Sequence, residues 1–171
     1  MAVKSEQVGK KELVDGSETA LHSHAAGGSV DLKPWSAVDS SGNTAITTNT
    51  LVTIDSVKVA NAGYTLSGSE ITVNQAGTYL VSYSISYDIT DTAGATRGCT
   101  DGFVTLGGVA IPQSYSRVYH REASGGSGQS AAFIVTIASG EKLKLIVTRA
   151  VYTTNLDTVA GQSNVSILKV A

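Results

Sequence analysis

The chain has 171 residues, a formal net charge of −2, 15% charged residues and a single cysteine, Cys99. That length suffices to bury a core without disulfides or metal ions, and a lone cysteine excludes an intrachain disulfide framework. The near-neutral charge excludes a broad electrostatic attraction to nucleic acid or anionic lipid. Eighteen glycines, with many serine, threonine and valine residues, favour a β-rich fold. No apolar run is long enough for a signal peptide or a membrane span, so we expect synthesis in a cytoplasm.

Residues 1–36 are predicted to form an arm that cannot fold alone. Charged side chains are frequent in its first half, where the scattered apolar anchors are Val3, Val8, Leu13 and Val14. This is too little apolar surface to form a core. We therefore expect a partner to hold the arm, and we expect residues 37–171 to form a folded head.

Within the arm, His22 and His24 form a His-x-His pair. Residues two apart in an extended segment point the same way, so both imidazoles would lie on one side. Three chains around a threefold axis would supply six nitrogens, which suits an octahedral divalent ion such as Fe, Ni or Co better than tetrahedral zinc. The alternatives are a solvated loop with two ordinary histidines, and rings that only stack around the axis.

The stretch that contains this pair, residues 15–25 (DGSETALHSHA), resembles a segment of the tail- and head-fibre proteins of tailed bacteriophages. In those proteins, His-x-His pairs from three intertwined chains can bind an axial metal ion. The resemblance implies a trimeric virion fibre in which His22 and His24 bind a divalent transition metal on the trimer axis. Residues 1–36 are accordingly expected to hold the three chains together and to attach the trimer to the major capsid protein or another virion protein.

After the arm, the pattern changes to linker, turns and strands. Residues 27–43 are predicted to form a linker and a turn, with Trp35 packing at the base of the head. Residues 78–89 place apolar or aromatic side chains at odd positions and Ser82, Ser84, Ser86 and Asp88 at even ones. This period of two predicts a long strand with one buried face and one small polar face. The other predicted strands are 49–59, 64–66, 71–73, 103–106, 109–111, 115–119, 131–137, 143–151 and 165–170.

The order of these pieces resembles the globular-head family shared by the complement first-component subunit q and tumour necrosis factor. The residues that carry the likeness are 77–79 (GTY), 133–135 (FIV) and 137–145 (IASGEKLKL), within roughly residues 45–171. The chain departs from the family in its few phenylalanines and in lacking a Phe-Ser-Gly near the end. The resemblance implies an all-β antiparallel jelly-roll sandwich that assembles as a homotrimer.

The polar face of the long predicted strand gives trimerisation a physical basis. Leu80 beside Ser82, Ser84 and Ser86 offers a flat surface that three copies could share, and sharing it would also cover sheet edges. The alternative is that this serine face points to solvent and the trimer uses another face.

The sequence does not predict an enzyme. A glycosidase needs two carboxyl groups that face each other, and no motif links the candidates, which are Asp88, Asp91, Asp101 and Glu122. His120 lacks a recognisable nucleophile elbow. A phosphate-binding glycine loop is not expected either, because no helix is predicted to follow one.

Recognition is expected in three predicted loops, residues 90–102, 117–128 and 152–163, because loops on a rigid sandwich commonly carry binding specificity. The aromatic and guanidinium side chains in or next to these loops that could stack on sugars or bind proteins are Tyr115, Arg117, Tyr119, Arg121 and Tyr152. The alternative is that these are ordinary loop and edge residues. Residues 125–128 (GGSG) predict a mobile loop.

Together these features predict a homotrimeric structural protein on a phage virion surface, either a capsid decoration protein or a short head fibre. The alternative is a tail-fibre tip that recognises a host surface glycan or protein, but no shaft repeats are present to reach a host. A third alternative is a bacterial surface or spore-coat trimer. The expected partners are other copies of the chain, a virion protein and a host glycan, without nucleic-acid binding or membrane insertion.

Overall fold

The computed structural model describes residues 34–43, 45–89, 98–120, 125–151 and 156–171. Regular structure in this part of the chain consists of strands and one short 3-10 helix, Pro112–Ser114, so it contains no helix long and apolar enough to cross a membrane. The strands are β1 (Trp35–Val38), β2 (Thr50–Leu51), β3 (Ser56–Val59), β4 (Tyr64–Ser67), β5 (Glu70–Val73), β6 (Gly77–Ile89), β7 (Gly98–Leu106), β8 (Val109–Ala110), β9 (Ser116–His120), β10 (Gly125–Ile137), β11 (Lys142–Val151), β12 (Leu156–Thr158) and β13 (Asn164–Lys169).

These strands form two antiparallel sheets. The six-stranded sheet has the order β10-β6-β13-β1-β3, and β12 also pairs with β6. The seven-stranded sheet has the order β4-β5-β11-β7-β8, with β2 paired to β11 and β9 paired to β7. The chain crosses repeatedly between the sheets, which pack face to face over one apolar core. This arrangement confirms the predicted all-β antiparallel jelly-roll sandwich.

The long strand β6 lies inside the six-stranded sheet and has the predicted two faces. β10 pairs with it along its whole length, and β13 pairs with its other edge. The odd-numbered side chains are at most 2% exposed and face the core; they are Tyr79, Val81, Tyr83, Ile85 and Tyr87. The even-numbered side chains, half-buried or exposed on the outer face, are Leu80, Ser82, Ser84, Ser86 and Asp88. The period of two therefore predicted both the strand and the direction of its side chains.

Three aromatic rings link the two sheets at one end of the core. The ring centroids of Trp35 and Tyr64 are 5.8 Å apart, and those of Tyr64 and Tyr79 are 6.1 Å apart. Trp35 and Tyr79 belong to the six-stranded sheet, whereas Tyr64 belongs to the seven-stranded one. Trp35 is 2% exposed, so its predicted role in packing is confirmed.

The chain enters the sandwich earlier than the sequence pattern indicated. β1 pairs with β13 and β3, so residues 35–38 form a strand where a linker was predicted. Its four residues alternate, with Trp35 and Ala37 buried and Ser36 and Val38 half-buried, but the stretch is too short for its period to stand out beside the following turn residues. Trp35 and Ser36, placed by prediction at the end of the arm, therefore belong to the sheet.

Two further strand predictions need correction. Residues 125–128 are not a loop: they form the start of β10, where Gly126 pairs with Asp88 and Gly128 with Ser86. Pairing with a long neighbouring strand satisfies the backbone hydrogen bonds and outweighs the low strand propensity of glycine. The predicted strand 49–59 is interrupted at residues 52–55, and its two halves pair with β11 and β1 in different sheets.

Candidate functional site

Three of the predicted binding residues lie on one face of the seven-stranded sheet. Tyr115 precedes β9 in extended conformation, and Arg117 and Tyr119 follow at intervals of two, so their side chains share the outer face. Tyr115 is 50% exposed and Tyr119 is 66% exposed. The structure thus places these three side chains on the same face of the sheet. The other predicted site residues lie outside the described part of the chain; they are His22, His24, Arg121 and Tyr152.

Arg117 is held by a carboxylate on the neighbouring strand. Its Nε donates to Asp101 Oδ1 at 2.5 Å, and a terminal nitrogen donates to Asp101 Oδ2 at 2.7 Å. The two residues lie opposite each other where β7 pairs with β9. The hydrogen bonds to Asp101 raise the pKa of the Arg117 guanidinium, which stays charged. Because this fork is already paired, Arg117 and Asp101 act as a unit on the outer face.

Beside this ion pair lies a concave surface, which we call the outer groove. Its volume is about 430 Å³, and it is lined by Asn49, Phe103, Thr105, Tyr115, Lys144 and Ile146, with Gly108 and Ala110 at one side. Strand register explains the arrangement: β7 pairs with β11 so that Phe103 lies opposite Ile146, and Thr105 opposite Lys144. A volume of this size suits a small-molecule ligand.

The apolar part of the outer groove is formed by one stacked aromatic pair and an aliphatic side chain. The rings of Phe103 and Tyr115 lie nearly parallel, 13° apart, with centroids separated by 4.6 Å. Phe103 and Ile146 are buried although neither belongs to the core cluster between the sheets, and the Tyr115 ring stacks on Phe103. The groove therefore combines an apolar floor with an aromatic wall that remains half exposed.

A cluster of three charges lies at one end of the groove. Lys142 Nζ donates to Glu70 Oε2 at 2.7 Å, and Lys144 donates to Glu70 Oε1. These hydrogen bonds lower the pKa of Glu70 to about 2, so this carboxylate is ionised at neutral pH. Two lysines around one carboxylate leave one net positive charge, and of the two lysines it is Lys144 that lines the groove.

Phe103, Thr105 and Ile146 were not predicted as site residues. They lie in predicted strands, and strand residues in a sandwich are expected to be core or plain surface. One signal was available: apolar side chains occupy both faces of β7, which predicts that its outer face is also covered. The structure, and not the sequence, marks Thr105: its Oγ1 is buried and has no hydrogen-bond partner among the described residues.

The candidate catalytic groups do not converge. Asp88 lies on the outer face of the six-stranded sheet and Asp101 on the outer face of the other sheet, so these two carboxylates do not face each other. Asp91 and Glu122 lie outside the described residues. His120 is buried between the sheets. Its Nε2 lies 3.0 Å from Thr100 Oγ1, and its Nδ1 lies 2.8 Å from Ser127 Oγ.

The outer face of the six-stranded sheet carries a line of exposed and half-buried apolar side chains, which we call the apolar row. Register places Leu80 of β6 opposite both Ile134 of β10 and Leu168 of β13. Ile134 is 60% exposed and Leu80 is 38% exposed. Next to the row, Ser82 lies between an alanine and a serine on the neighbouring strands, which keeps this face flat.

Sequence comparison finds no match, whereas structural comparison finds proteins of similar fold. No protein-family model and no curated protein matches the chain. The crystal structure of murine APRIL at pH 8.0 matches with a TM-score of 0.57 and 15% identity over 80% of this chain and 98% of that chain. The globular domain of zebrafish complement 1qA protein matches with a TM-score of 0.57 and 13% identity over 82% of this chain and 98% of that chain.

A second murine APRIL structure, at pH 8.5, has a TM-score of 0.56 and 15% identity. At such identities the likeness shows the fold alone. The two kinds of neighbour correspond to the two halves of the family that the sequence resembles. The chain therefore has the jelly-roll fold of the tumour necrosis factor and complement C1q heads.

Proposed function

We propose that this chain is a non-enzymatic structural protein of a tailed-phage virion: a homotrimeric capsid decoration protein or short head fibre on the particle surface. Two features support the proposal. Residues 15–25 resemble a segment of phage fibre proteins, and the jelly-roll head presents a flat, partly apolar sheet face that suits self-association. The arm attaches the trimer to the major capsid protein or another virion protein, after synthesis in the host cytoplasm.

The main observation in favour of a trimer is the apolar row. Exposed apolar surface gains about 25 cal/mol for each Å² removed from water, and Ile134 and Leu80 are the most exposed members of the row. The small side chains beside it, such as Ser82, lose little rotamer freedom when another copy covers them. Stable obligate interfaces bury about 2,000 Å² or more in total, so the interface extends beyond the row across the same sheet face.

The trimer is tested by introducing charges into the apolar row. We expect the parent protein to have the mass of three chains in multi-angle light scattering, and the variant Leu80→Glu with Ile134→Glu to have the mass of one chain. Val109→Glu is the matched control, because Val109 is 73% exposed on the hairpin of the other sheet. A parent protein with the mass of one chain would contradict the trimer, whereas trimeric mass for the charged variant would show that the trimer interface lies on another face.

Attachment to the particle is tested by removing the arm. Because β1 begins at Trp35, the truncation should end at residue 33, so that the first strand remains intact. We expect the truncated head to stay trimeric and to lose binding to purified phage particles. If the truncated head bound particles as well as the full chain does, the role given to the arm would be wrong.

The alternative function is a tail-fibre tip that recognises a host surface glycan or protein. The outer groove and the exposed ring of Tyr119 favour it, since both are surface features of the kind that bind ligands. The thermal robustness, infectivity and host adsorption of particles that lack the protein distinguish the two functions. Loss of thermal robustness with retained infectivity supports a decoration protein, whereas loss of adsorption to the host supports a receptor-binding tip.

A further inference from the structure

We propose that the outer groove binds a sugar unit that carries a carboxylate, such as a sialic or uronic acid residue of a glycan. The structural role on a particle does not use this groove, so the inference goes beyond the proposed function. The groove also lies on the seven-stranded sheet, whereas the apolar row lies on the six-stranded one. A trimer that covers the apolar row therefore leaves the groove accessible.

Size and apolar surface fit a sugar ring. About 430 Å³ holds one or two pyranose rings, and a protein site for such rings combines an aromatic surface with a few polar groups. Tyr115 supplies the aromatic surface, because its stacking on Phe103 fixes the ring while half of the residue stays exposed. Ile146 closes the floor and excludes water from beneath the ligand.

Charge selects an acidic sugar over a neutral one. Lys144 has three N–H donors, of which Glu70 accepts one through Oε1, and its side chain is 33% exposed. Glu70 also pairs with Lys142, so the cluster keeps one net positive charge at the end of the groove. A ligand carboxylate can accept from Lys144 without displacing Glu70. Arg117 is already paired with Asp101 and adds no net charge nearby.

Two further polar groups are available for ligand hydroxyls. Asn49 lines the groove and immediately precedes β2. Its backbone lies in the left-handed region, with φ of 52°. Thr105 Oγ1 is buried without a partner in the described part of the chain. An unpaired buried hydroxyl is destabilising, so a ligand oxygen that pairs with it after a rotation about χ1 is favoured.

The test uses the full-length purified protein and four sugars: N-acetylneuraminic acid and D-glucuronic acid as acidic probes, and N-acetylglucosamine and D-glucose as neutral ones. Binding is followed by titration of backbone amide NMR signals. We expect the acidic sugars to shift the amides of Thr105 and Tyr115 and to bind at least about tenfold more tightly than the neutral sugars.

Lys144→Gln and Lys142→Gln are a matched pair, because both lysines contact Glu70 and of the two only Lys144 lines the groove. Lys144→Gln removes both the net charge and the donor to the ligand and should abolish the preference for acidic sugars, whereas Lys142→Gln removes the same charge but no donor in the groove and should only weaken that preference. Equal losses in both variants, equal affinity for neutral and acidic sugars, or no shift at Thr105 would each overturn the proposal. None of these results depends on phage particles, so they leave the virion proposal untouched.

Discussion

The hydroxyl of Ser127 lies 2.8 Å from Nδ1 of His120, inside the sandwich. The other ring nitrogen of His120, Nε2, lies 3.0 Å from Thr100 Oγ1, and the edge of the ring contacts Tyr87 with centroids 5.5 Å apart. A neutral imidazole has one donor and one acceptor, and each of the two hydroxyls can serve as the complementary partner. The ring is therefore satisfied in its neutral form, with no described carboxylate among these contacts to stabilise the imidazolium.

Stability should consequently fall in mildly acidic solution. Burial lowers the pKa of His120 below its ordinary value of about 6.5, so the unfolded chain takes up a proton at higher pH than the folded chain. The contribution of neutral His120 to the free energy of unfolding is thus fully present above about pH 6.5. It decreases as the pH falls toward the lowered pKa of the folded chain. Urea unfolding followed by circular dichroism between about pH 7.5 and pH 5 measures this decrease.

His120→Asn is the control, because asparagine does not titrate. Its unfolding free energy should fall less steeply with decreasing pH than that of the parent over the same range, even if it is lower throughout. Glu70 and Asp55, whose pKa values are lowered, affect stability only at more acidic pH, below their ordinary values of 4.5 and 3.8. A variant that loses stability with pH as steeply as the parent would show that another group is responsible.

Substitution by alanine should lower the unfolding free energy by different amounts at two glycines with positive φ. Gly42 has φ of 75°, and a Cβ there would lie 2.6 Å from the carbonyl oxygen of Thr158; Gly68 has φ of 56° and open space around it. Left-handed backbone alone costs about 1–2 kcal/mol, which both variants incur, and the contact adds to it at Gly42. We expect unfolding free energy to fall by roughly 3 kcal/mol in Gly42→Ala.

Gly68→Ala is the matched control and should lose only about 1 kcal/mol. Urea unfolding at equal protein concentration compares the variants, because the stability of an oligomer depends on concentration. Equal losses at the two positions would mean that the turn around Gly42 shifts to accommodate the methyl group.

Much of the fold could be predicted because its largest signal is local. In β6, the alternation from Tyr79 to Tyr87 occurs within one short stretch, and the burial of alternate side chains follows directly from strand geometry. The burial of Trp35 was predictable from residue type, and this side chain is 2% exposed. These predictions needed no knowledge of which strands are neighbours.

The outer groove could not be predicted in the same way, because its residues come from separate strands and loops. Phe103 meets Ile146 only through the register of β7 with β11, and Tyr115 reaches Phe103 only after the 3-10 helix turns the chain. Register between strands far apart in the sequence depends on how the hydrophobic faces of both strands match, so it cannot be read from the pattern of one strand alone. The error at residues 125–128 has the same origin, since pairing with β6 decides their conformation.

His22 and His24 are expected to bind a metal, although they lie outside the described residues. Elemental analysis of the purified protein should find close to one divalent transition-metal ion per three chains, and His22→Ala with His24→Ala should remove it. His120→Asn is the control and should retain the metal, since both nitrogens of His120 face hydroxyls inside the sandwich. A parent protein without metal would contradict this hypothesis. It would not change the description of the head.

Tyr83 anchors the chain that leads into the outer groove. Its hydroxyl oxygen lies 2.7 Å from the carbonyl oxygens of Gly102 and Ser114, so it can donate to either, and 2.8 Å from Ser116 Oγ. Tyr83→Phe leaves buried carbonyl groups with one donor fewer, which should lower the unfolding free energy by about 1–3 kcal/mol. Urea unfolding at matched protein concentration measures the loss.

Tyr115→Phe is the corresponding control, because Tyr115 is 50% exposed and water can solvate its surroundings. Its unfolding free energy should change by less than about 0.5 kcal/mol. The Tyr83 variant should also shift the amide NMR signals of Tyr115 and Phe103, since the Ser114 carbonyl that it frees immediately precedes Tyr115. Loss of stability without those shifts would mean that Tyr83 supports the core and does not position the aromatic wall of the groove.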